Sequence, residues 1–163
     1  MNAMRKTADR RLINGFTLIE LVVVIVIIGV LSSFAVPRFF NTQTFSERGY
    51  FEELAAALRF AQKTAVATGC PVRAVVVSTG YSVTQQAAQA GRCNRSDTSW
   101  STAVALADGS FLTATTPIGV SVTPDVTLVF DTLGVTSLGA DATINVGAHS
   151  LTIQAASGYI DAP

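Results

Sequence analysis

The residue types that most often carry enzymatic chemistry are few and scattered in this chain. His149 is its only histidine, and neither a nucleophile-elbow pattern nor a glycine-rich phosphate loop accompanies it. Six aspartates fall singly among turn-forming residues, as aspartate commonly does. They are Asp97, Asp108, Asp125, Asp131, Asp141 and Asp161. The sequence predicts no catalytic residue, no metal site and no cofactor; the alternative is a calcium site among these carboxylates, which no EF-hand spacing supports.

Two cysteines, Cys70 and Cys93, form a second candidate for chemistry. Neither lies in a C-x-x-C pattern and only one histidine is present, so a zinc site is disfavoured. If the domain lies outside the cytoplasm, a disulfide is expected, and the alternative is two buried thiols. A bridge would connect the end of the helix that is predicted to end at Gly69 to residues 86–101.

Glu20 is the third candidate, because it is the one charge in the apolar stretch from Phe16 to Val36. As a helix these 21 residues would extend about 32 Å, close to the thickness of a bilayer core. A charge at the centre of such a span costs roughly 3 kcal/mol, so Glu20 is expected to have a function. Four basic residues precede the stretch, and the positive-inside rule places that end in the cytoplasm. They are Arg5, Lys6, Arg10 and Arg11.

Two common kinds of N-terminal segment are alternatives here. One is a permanent signal anchor, and the other is a secretory signal peptide cleaved at Ser33-Phe34-Ala35. A signal peptide has an uncharged apolar region of about 7–15 residues. This stretch is longer and contains Glu20, which disfavours a signal peptide.

A third interpretation accounts for more of the residues. The segment RRLINGFTLIELVVVIVIIGVLSSFAVP resembles the type III signal of type IV pilins and type II secretion pseudopilins. The resemblance implies that a prepilin peptidase cleaves between Gly15 and Phe16, removes residues 1–15 as a leader and methylates the Phe16 amine. Met4 is an alternative start of the chain.

The same resemblance implies a role for Glu20 in the filament. Glu20 of one subunit would pair with the Phe16 amine of another subunit among the bundled apolar helices. Opposite charges about 4 Å apart attract by roughly 4 kcal/mol at an effective dielectric near 20, which would fix the axial register of the helices. The alternative is that Glu20 stays near the headgroups and does little.

Beyond the apolar stretch, residues 37–69 are predicted to continue the helix with one apolar face. Residues at three- and four-residue steps form that face. They are Phe51, Leu54, Leu58, Ala61 and Ala65. Glu47 and Tyr50 are predicted on the solvated side. Pro37 lacks a backbone donor and is predicted to kink the helix, and Gly69 is predicted to end it.

Residues 70–163 predict an antiparallel β domain. VRAVVVS and YSVTQ flank a turn at Thr79-Gly80 and predict a hairpin. Residues 86–101 are predicted as a loop, and a second hairpin is predicted about Asp108-Gly109. VTLVFDTLGVTS, ATINVGAHSLTIQAA and GYID predict four or five more short strands.

Trp100 lies in the predicted 86–101 loop near Arg92 and Arg95. It is predicted as a partly buried anchor beside the disulfide, and the alternative is that this loop binds a ligand. From Phe16 onward the chain has seven Lys/Arg and ten Asp/Glu, and no basic patch for nucleic acid stands out.

The expected fold is therefore α+β, with a long N-terminal helix packed on a C-terminal antiparallel sheet. Residues 16–36 would be the transmembrane and filament-core part of the helix. Within the pilin family, ALRFAQKTAVATGCPVRAVV, FDTLGVTS and HSLTIQAASGYID resemble the GspH/FimT type. VVVIVIIGVLSSFAVPRF is also similar to a minor pilin of the mannose-sensitive haemagglutinin (MSHA) pilus.

The resemblance implies a minor pilin or pseudopilin that acts in filament initiation or at the tip. The expected partners are other pilins, the prepilin peptidase and the inner-membrane assembly platform. The expected location is the bacterial inner membrane, with the C-terminal domain in the periplasm, and then the filament.

Two alternatives concern function. A DNA-uptake minor pilin of the FimT type would need clustered basic residues, but only Arg92 and Arg95 cluster, so nucleic acid is not an expected partner. A membrane-anchored periplasmic enzyme is disfavoured because no catalytic constellation is visible. The sequence does not distinguish a pilus from a secretion system.

Overall fold

The residues described by the computed structural model are 15–39, 42–89 and 92–163. The predicted leader lies outside them except for Gly15. The chain divides into two compact units, Met1–Asn41 and Thr42–Pro163.

The first unit contains helix α1 (Leu18–Phe39), which is 22 residues long. Its sequence is apolar apart from Glu20, Arg38 and two serines. The hydroxyl of Ser32 donates to the carbonyl of Ile28 at 2.7 Å, so this polar group is satisfied within the helix. The helix extends past Pro37, and the kink at that residue stays a prediction. No helix among the described residues is both long and apolar enough to span a membrane.

The second unit begins with helix α2 (Thr42–Thr68), which packs one face on the β-strands. The five residues predicted for the apolar face are all at most 1% exposed, so that prediction is confirmed. Gly69 follows the helix with φ +63°, a left-handed conformation in which glycine ends helices at little cost. The prediction for Tyr50 is wrong: it is only 3% exposed, because its ring lies 6.1 Å from that of Tyr81.

The strands of the second unit are short and all pair antiparallel. They are β1 (Val72–Val77), β2 (Gly80–Gln85), β3 (Ala88–Gln89), β4 (Arg92–Cys93), β5 (Thr102–Ala103), β6 (Thr113–Thr115), β7 (Val122–Thr123), β8 (Val126–Phe130), β9 (Ala142–Val146), β10 (His149–Ile153) and β11 (Ile160–Asp161). One sheet has the order β5-β2-β1-β8 with β6 also on β2, and the other has the order β11-β10-β9-β7. Strands β3 and β4 pair with each other.

The hairpin predicted about Thr79-Gly80 is confirmed, with Val77 paired to Gly80 in β1 and β2. Alternate β1 residues point to the core: Val72, Ala74 and Val76 are at most 1% exposed. Period-two burial of this kind is what one face of an antiparallel sheet packed on a helix requires.

The predicted turn at Asp108-Gly109 is present, but its flanking segments pair differently from a simple hairpin. An isolated bridge joins Ala105 to Phe111 across the turn. Strands β5 and β6 both pair with β2. β1 pairs with only one edge of β2. The backbone donors and acceptors on the other edge need partners, and β5 and β6 supply them.

The core lies between α2 and the two larger sheets. Its largest fully buried side chains come from α2, β1 and β7 to β11. They are Phe51, Phe130, Leu54, Leu58, Leu128, Ile144, Leu151, Ile153, Ile160, Val72, Val76 and Val122. Each contributes roughly 1.5–3 kcal/mol by leaving water. The ring of His149 lies 5.2 Å from that of Phe51, so this histidine packs against the core.

Candidate functional site

The first turn of α1 is the candidate assembly site, and Thr17 caps it. The hydroxyl of Thr17 accepts a hydrogen bond from the backbone N–H of Glu20 at 3.3 Å, and its carbonyl accepts from the N–H of Leu21. Thr17 and Glu20 have the spacing of a capping box, in which the hydroxyl satisfies an otherwise free donor. A carboxylate in the first turn also favours the helix dipole. Glu20 thus has a local role that the sequence interpretation missed, although the T-x-x-E pattern was readable.

Gly15 and Phe16, the residues of the predicted cleavage site, both lie at the surface. A Cβ atom on Gly15 would meet nothing within 4 Å. Phe16 is 79% exposed. Nothing among the described residues therefore requires glycine at residue 15, and the cleavage itself stays a prediction.

The apolar side chains described in α1, which end at Leu31, are exposed on every side of the helix. All described side chains from Gly15 to Ser32 are exposed, from 82% at Leu18 to 38% at Val22 among the large apolar ones. Monomeric soluble proteins rarely expose apolar patches beyond a few hundred Å², and a helix that is apolar all round is normally buried. This surface needs other apolar partners.

Within the residues that the structure describes, Glu20 makes no ion pair. The predicted partner is the Phe16 amine of another subunit, and a single chain does not contain that contact. The register role of Glu20 stays a prediction.

The predicted disulfide between Cys70 and Cys93 is present, with the Cα atoms 5.3 Å apart. Gln86 lies against it, only 8% exposed, with its carbonyl and Oε1 each 3.6 Å from a disulfide sulfur. These are packing contacts, because a disulfide sulfur has no hydrogen to donate. The Gln86 amide donates to the carbonyls of Arg95 and Asp97 at 3.3 and 3.1 Å. The described residues of the predicted loop 86–101 are therefore held around the bridge, and they include the short strands β3 and β4.

Asp97 holds the second half of this loop. Its carboxylate accepts from the backbone N–H of Ala87 at 2.7 Å and from the N–H and hydroxyl of Ser99 at 2.9 and 2.6 Å. The hydroxyl of Ser99, followed by the Ala87 and Ser99 N–H groups, lowers the pKa of Asp97 below its ordinary value of 3.8. The loop is thus held best when this carboxylate is ionised.

Trp100 packs against a basic residue outside its loop. The Arg73 guanidinium lies 5.4 Å from the centre of the Trp100 ring, within the range of a cation–π contact. Trp100 is half-buried and has φ +52°, an uncommon conformation for a non-glycine residue. The predicted partly buried state is therefore confirmed, with Arg73 as its contact.

Arg92 and Arg95, the basic pair noted in the sequence, line one open cleft at the C-terminal end of α2. Thr68, Gly69 and Cys93 complete the lining, and the cleft has a volume of about 390 Å³. Free carbonyls at a helix C-terminus favour nearby cations. Two arginines are a small basic surface compared with the footprint that nucleic acid needs.

The turn aspartates are occupied with backbone donors. The carboxylate of Asp108 accepts from the hydroxyl and from the N–H of Ser110. These bonds, and chiefly that of the hydroxyl, lower the pKa of Asp108. Asp131 and Asp141 accept backbone N–H groups at 2.8–2.9 Å. Among the described residues, no group of three or more His, Cys, Asp or Glu could hold a metal ion.

A cluster between α2 and β2 was missed by the sequence interpretation. The hydroxyl of Tyr81 donates to Glu53 Oε1 at 2.8 Å, and that of Tyr50 accepts from Thr116 at 3.3 Å. Burial raises the pKa of both tyrosines, and Glu53 raises that of Tyr81 further. The cluster connects the helix to the sheet, and no sequence pattern marks such distant pairs.

Comparison with protein families gives two matches along the chain. The prokaryotic N-terminal methylation motif matches residues 10–36. The family described as type II transport protein GspH matches residues 51–158, which is more than half of the chain. The first match covers Gly15, Phe16 and Glu20, and the second covers most of the second unit.

A curated relative is the type IV narrow pilus major component PilA5 of Thermus thermophilus, 48% identical over 60 residues. That alignment covers 36% of this chain, and the chain spans about half, 52%, of the relative's length. Among solved structures, the type IV minor pilin FimU of Pseudomonas aeruginosa PAO1 in space group P21 gives a TM-score of 0.50 at 15% identity, covering 75% of this chain and 91% of FimU. A second crystal form of FimU, P65, gives 0.47 at 14% identity, covering 71% and 91%.

The P21 likeness supports the fold alone, because its sequence identity is low. The family match covers the buried face of α2 and most of the two larger sheets. The chain has the prokaryotic N-terminal methylation motif and belongs to the GspH family of type II transport proteins, which are pilin-like structural subunits and not enzymes.

Proposed function

We propose that this chain is a minor pilin or pseudopilin that assembles through α1 into a type IV pilus or a type II secretion pseudopilus. Its place would be filament initiation or the tip. The observation that carries the proposal is the exposure of every apolar side chain described in α1. The minor role is inferred from the resemblance of the β domain to the GspH/FimT type.

Two surroundings in turn would cover this apolar helix. Before assembly, α1 would lie in the bacterial inner membrane, with the second unit in the periplasm. In the filament, the helices of other subunits would replace the lipid. The hydrophobic free energy of α1 would change little between lipid and filament because both surroundings are apolar. Polar contacts such as that of Glu20 would therefore decide which helices associate.

Processing would precede assembly. The prepilin peptidase would cleave between Gly15 and Phe16 and methylate the new amine, and the assembly platform would then extract the subunit. Among the described residues, no atom lies within 4 Å of a Cβ added at Gly15. A requirement for glycine there would therefore come from the peptidase, which must accept the residue before the cleaved bond.

The processing step is tested with Gly15→Leu and a matched control, Gly29→Leu. Both glycines lie in the first unit with no described atom within 4 Å of an added Cβ, so neither change disturbs a contact among the described residues. We expect mass spectrometry to find an N-methylated Phe16 in the parent and in Gly29→Leu, and uncleaved chain in Gly15→Leu. A mature start at Val36 would contradict the proposal and favour an ordinary secretory signal.

The filament role is tested by deleting the gene and scoring surface pili, protein secretion and transformation. Loss of pili or of secretion, restored by the parent chain, supports the proposal and names the machine. Loss of transformation alone, with pili and secretion intact, would favour the DNA-uptake alternative. No change in any of the three would exclude the filament role.

A further inference from the structure

We propose that the turn Pro117-Ile118-Gly119 inserts Ile118 into the surface of the lipid bilayer while the subunit is anchored in the membrane before assembly. This inference rests on the membrane anchoring in the proposed function. Ile118 is 102% exposed, the largest exposed fraction of the large apolar side chains described in the second unit. Its side chain stands at the tip of a turn, where an external apolar surface could cover it.

The turn that carries Ile118 is held at both ends. The N–H of Val120 donates to the carbonyl of Pro117 at 3.1 Å, and Gly119 has φ +87°, which suits the tight turn. On one side, the N–H of Thr116 donates to the carbonyl of Thr79 at 3.0 Å. Ile118 is therefore presented by a fixed backbone, and its insertion would order little additional chain.

On the other side the turn is fixed to the beginning of α2. The amide of Gln43 donates to the carbonyl of Gly119 at 3.1 Å. The carbonyl of Ser121, two residues later, accepts from the N–H of Gly147 at 2.9 Å, and Glu47 packs against Gly147. The Ile118 turn thus belongs to the end of the second unit at which α2 begins.

The connection between the apolar stretch and the start of α2 is short. Five residues separate Val36, the last residue of the stretch, from Thr42. Even fully extended, this connection spans only about 20 Å. The start of α2 therefore cannot lie farther than this from the end of the apolar stretch, which the proposed function places at the bilayer surface.

The chemistry around Ile118 suits the headgroup region of a bilayer. No charged residue occurs from Gly109 to Pro124, a run of 16 residues, so insertion would bury no charge. Hydroxyl side chains flank the turn and suit a wet, polar layer. Phe45, 75% exposed in the first turn of α2, is a second apolar side chain at the same end.

A lipid surface fits this turn better than a protein neighbour does. A specific protein interface buries about 800 Å² on each partner, and one protruding isoleucine does not supply that area. A deformable lipid surface accepts a single side chain without a matching pocket, as interfacial segments do.

The test places the only tryptophan of the chain at the turn. In a Trp100→Phe background, Ile118→Trp is compared with Leu133→Trp. Leu133 is 80% exposed and also precedes a positive-φ glycine, Gly134, which packs beside Gln62 and Val66. From Gln43 to Gln62 the helix rises about 28 Å, so Leu133 lies near the far end of α2 and is the matched control.

The full chain is reconstituted in vesicles of phosphatidylethanolamine and phosphatidylglycerol that contain brominated phosphatidylcholine. We expect a blue shift and loss of emission for the tryptophan at 118, and neither for that at 133. Both parent residues are largely exposed, so the circular dichroism of both variants should match that of the background.

The outcomes separate this inference from the proposed function. If the chain does not float with the vesicles, the proposed anchoring is wrong and the inference falls with it. If it floats and the tryptophan at 118 is not quenched, or is quenched no more than that at 133, the anchoring stands and the inference is overturned. Cross-linking between copies at 118 without quenching would assign the turn to a protein partner and likewise overturn it.

Discussion

Gly158 packs directly on the backbone of Gly134, and a Cβ atom on Gly158 would overlap the carbonyl oxygen of Gly134. Gln62 of α2 completes the contact, since its amide donates to the carbonyls of Gly134 at 2.9 Å and of Ser157 at 3.1 Å. One side chain of the helix thereby holds two turns that lie in different parts of the sequence. The close backbone approach sets how tightly these turns pack on the helix.

Gly158→Ala is therefore expected to destabilise the protein. Gly158 has φ +67°, which strains any residue with a Cβ, and the new atom would displace the Gly134 carbonyl from Gln62. We expect a loss of about 2–3 kcal/mol in the free energy of unfolding, measured by urea denaturation of the full chain in detergent. The control is Gly139→Ala, because a Cβ there meets nothing within 4 Å. Equal urea midpoints for the two variants would contradict the prediction and show that the Gly158–Gly134 contact tolerates a Cβ atom.

Removal of the Cys70–Cys93 bridge gives a second stability prediction. The bridge closes a sequence separation of 23 residues, which by chain entropy stabilises the fold by roughly 3 kcal/mol. Cys70→Ser/Cys93→Ser should lose about this amount and become sensitive to proteases within residues 86–101. The chain has only these two cysteines, so dithiothreitol should have the same effect on the parent and none on the double variant. An unchanged urea midpoint in the variant would contradict the prediction.

Acidification is expected to loosen the same loop through Asp97. The pKa of Asp97 is lowered in the folded state by the Ser99 hydroxyl and the Ala87 N–H, so folding favours the ionised carboxylate. Its contribution is fully present above the ordinary value of 3.8 and is lost as the pH falls through the lower folded value. Hydrogen exchange of the Ala87 and Ser99 amides should therefore accelerate in that range, beyond the intrinsic effect of pH.

In Asp97→Asn, residue 97 cannot titrate. The exchange of the Ala87 and Ser99 amides, corrected for the intrinsic effect of pH, should then not depend on pH. Asp161→Asn changes an exposed carboxylate in β11 and should leave the acid response of the loop intact. If Asp97→Asn keeps the full acid response, another group controls the loop.

The parts of the fold that the sequence predicted are those with a strong local pattern. The apolar face of α2 recurs every three to four residues, and each predicted member of that face is buried. The first hairpin was found because β1 and β2 alternate on both sides of a clear turn. In both cases one short window contains the whole signal.

The parts that were missed depend on residues far apart in the chain. Tyr50 lies near the edge of the apolar face, and its burial follows from Tyr81 and Thr116. Strands β5 and β6 are two and three residues long, too short for a period, and they exist because β2 has a free edge. The contact of Trp100 with Arg73 is equally non-local. Such tertiary pairings override local propensity.

The last prediction separates the two roles of Glu20, the local one in the first turn of α1 and the proposed one between subunits. Thr17→Val keeps a β-branched side chain and removes the hydroxyl that caps the Glu20 N–H, which should weaken the helix end by about 1 kcal/mol. Glu20→Leu removes the carboxylate and makes the stretch more apolar, so membrane insertion should not suffer. In the assembled bundle, however, the amine of Phe16 would then lack a counter-charge, which costs roughly 3–5 kcal/mol. Glu20→Gln tests charge at nearly constant shape.

We therefore expect Thr17→Val to be cleaved, inserted and assembled, and both Glu20 variants to be cleaved and inserted but not assembled. The measurement is cross-linking and co-purification with partner pilins, beside an assay of leader cleavage. If Thr17→Val loses assembly as completely as Glu20→Leu, the carboxylate acts by supporting the first helical turn, because the cap and the charge then fail together. If Glu20→Leu assembles normally, the charge does not set the register of the helices. A contact between subunits is identified only if assembly needs the Glu20 carboxylate and does not need the Thr17 cap. Both changes weaken the first helical turn, but only the loss of the carboxylate leaves the Phe16 amine of a neighbouring subunit unpaired.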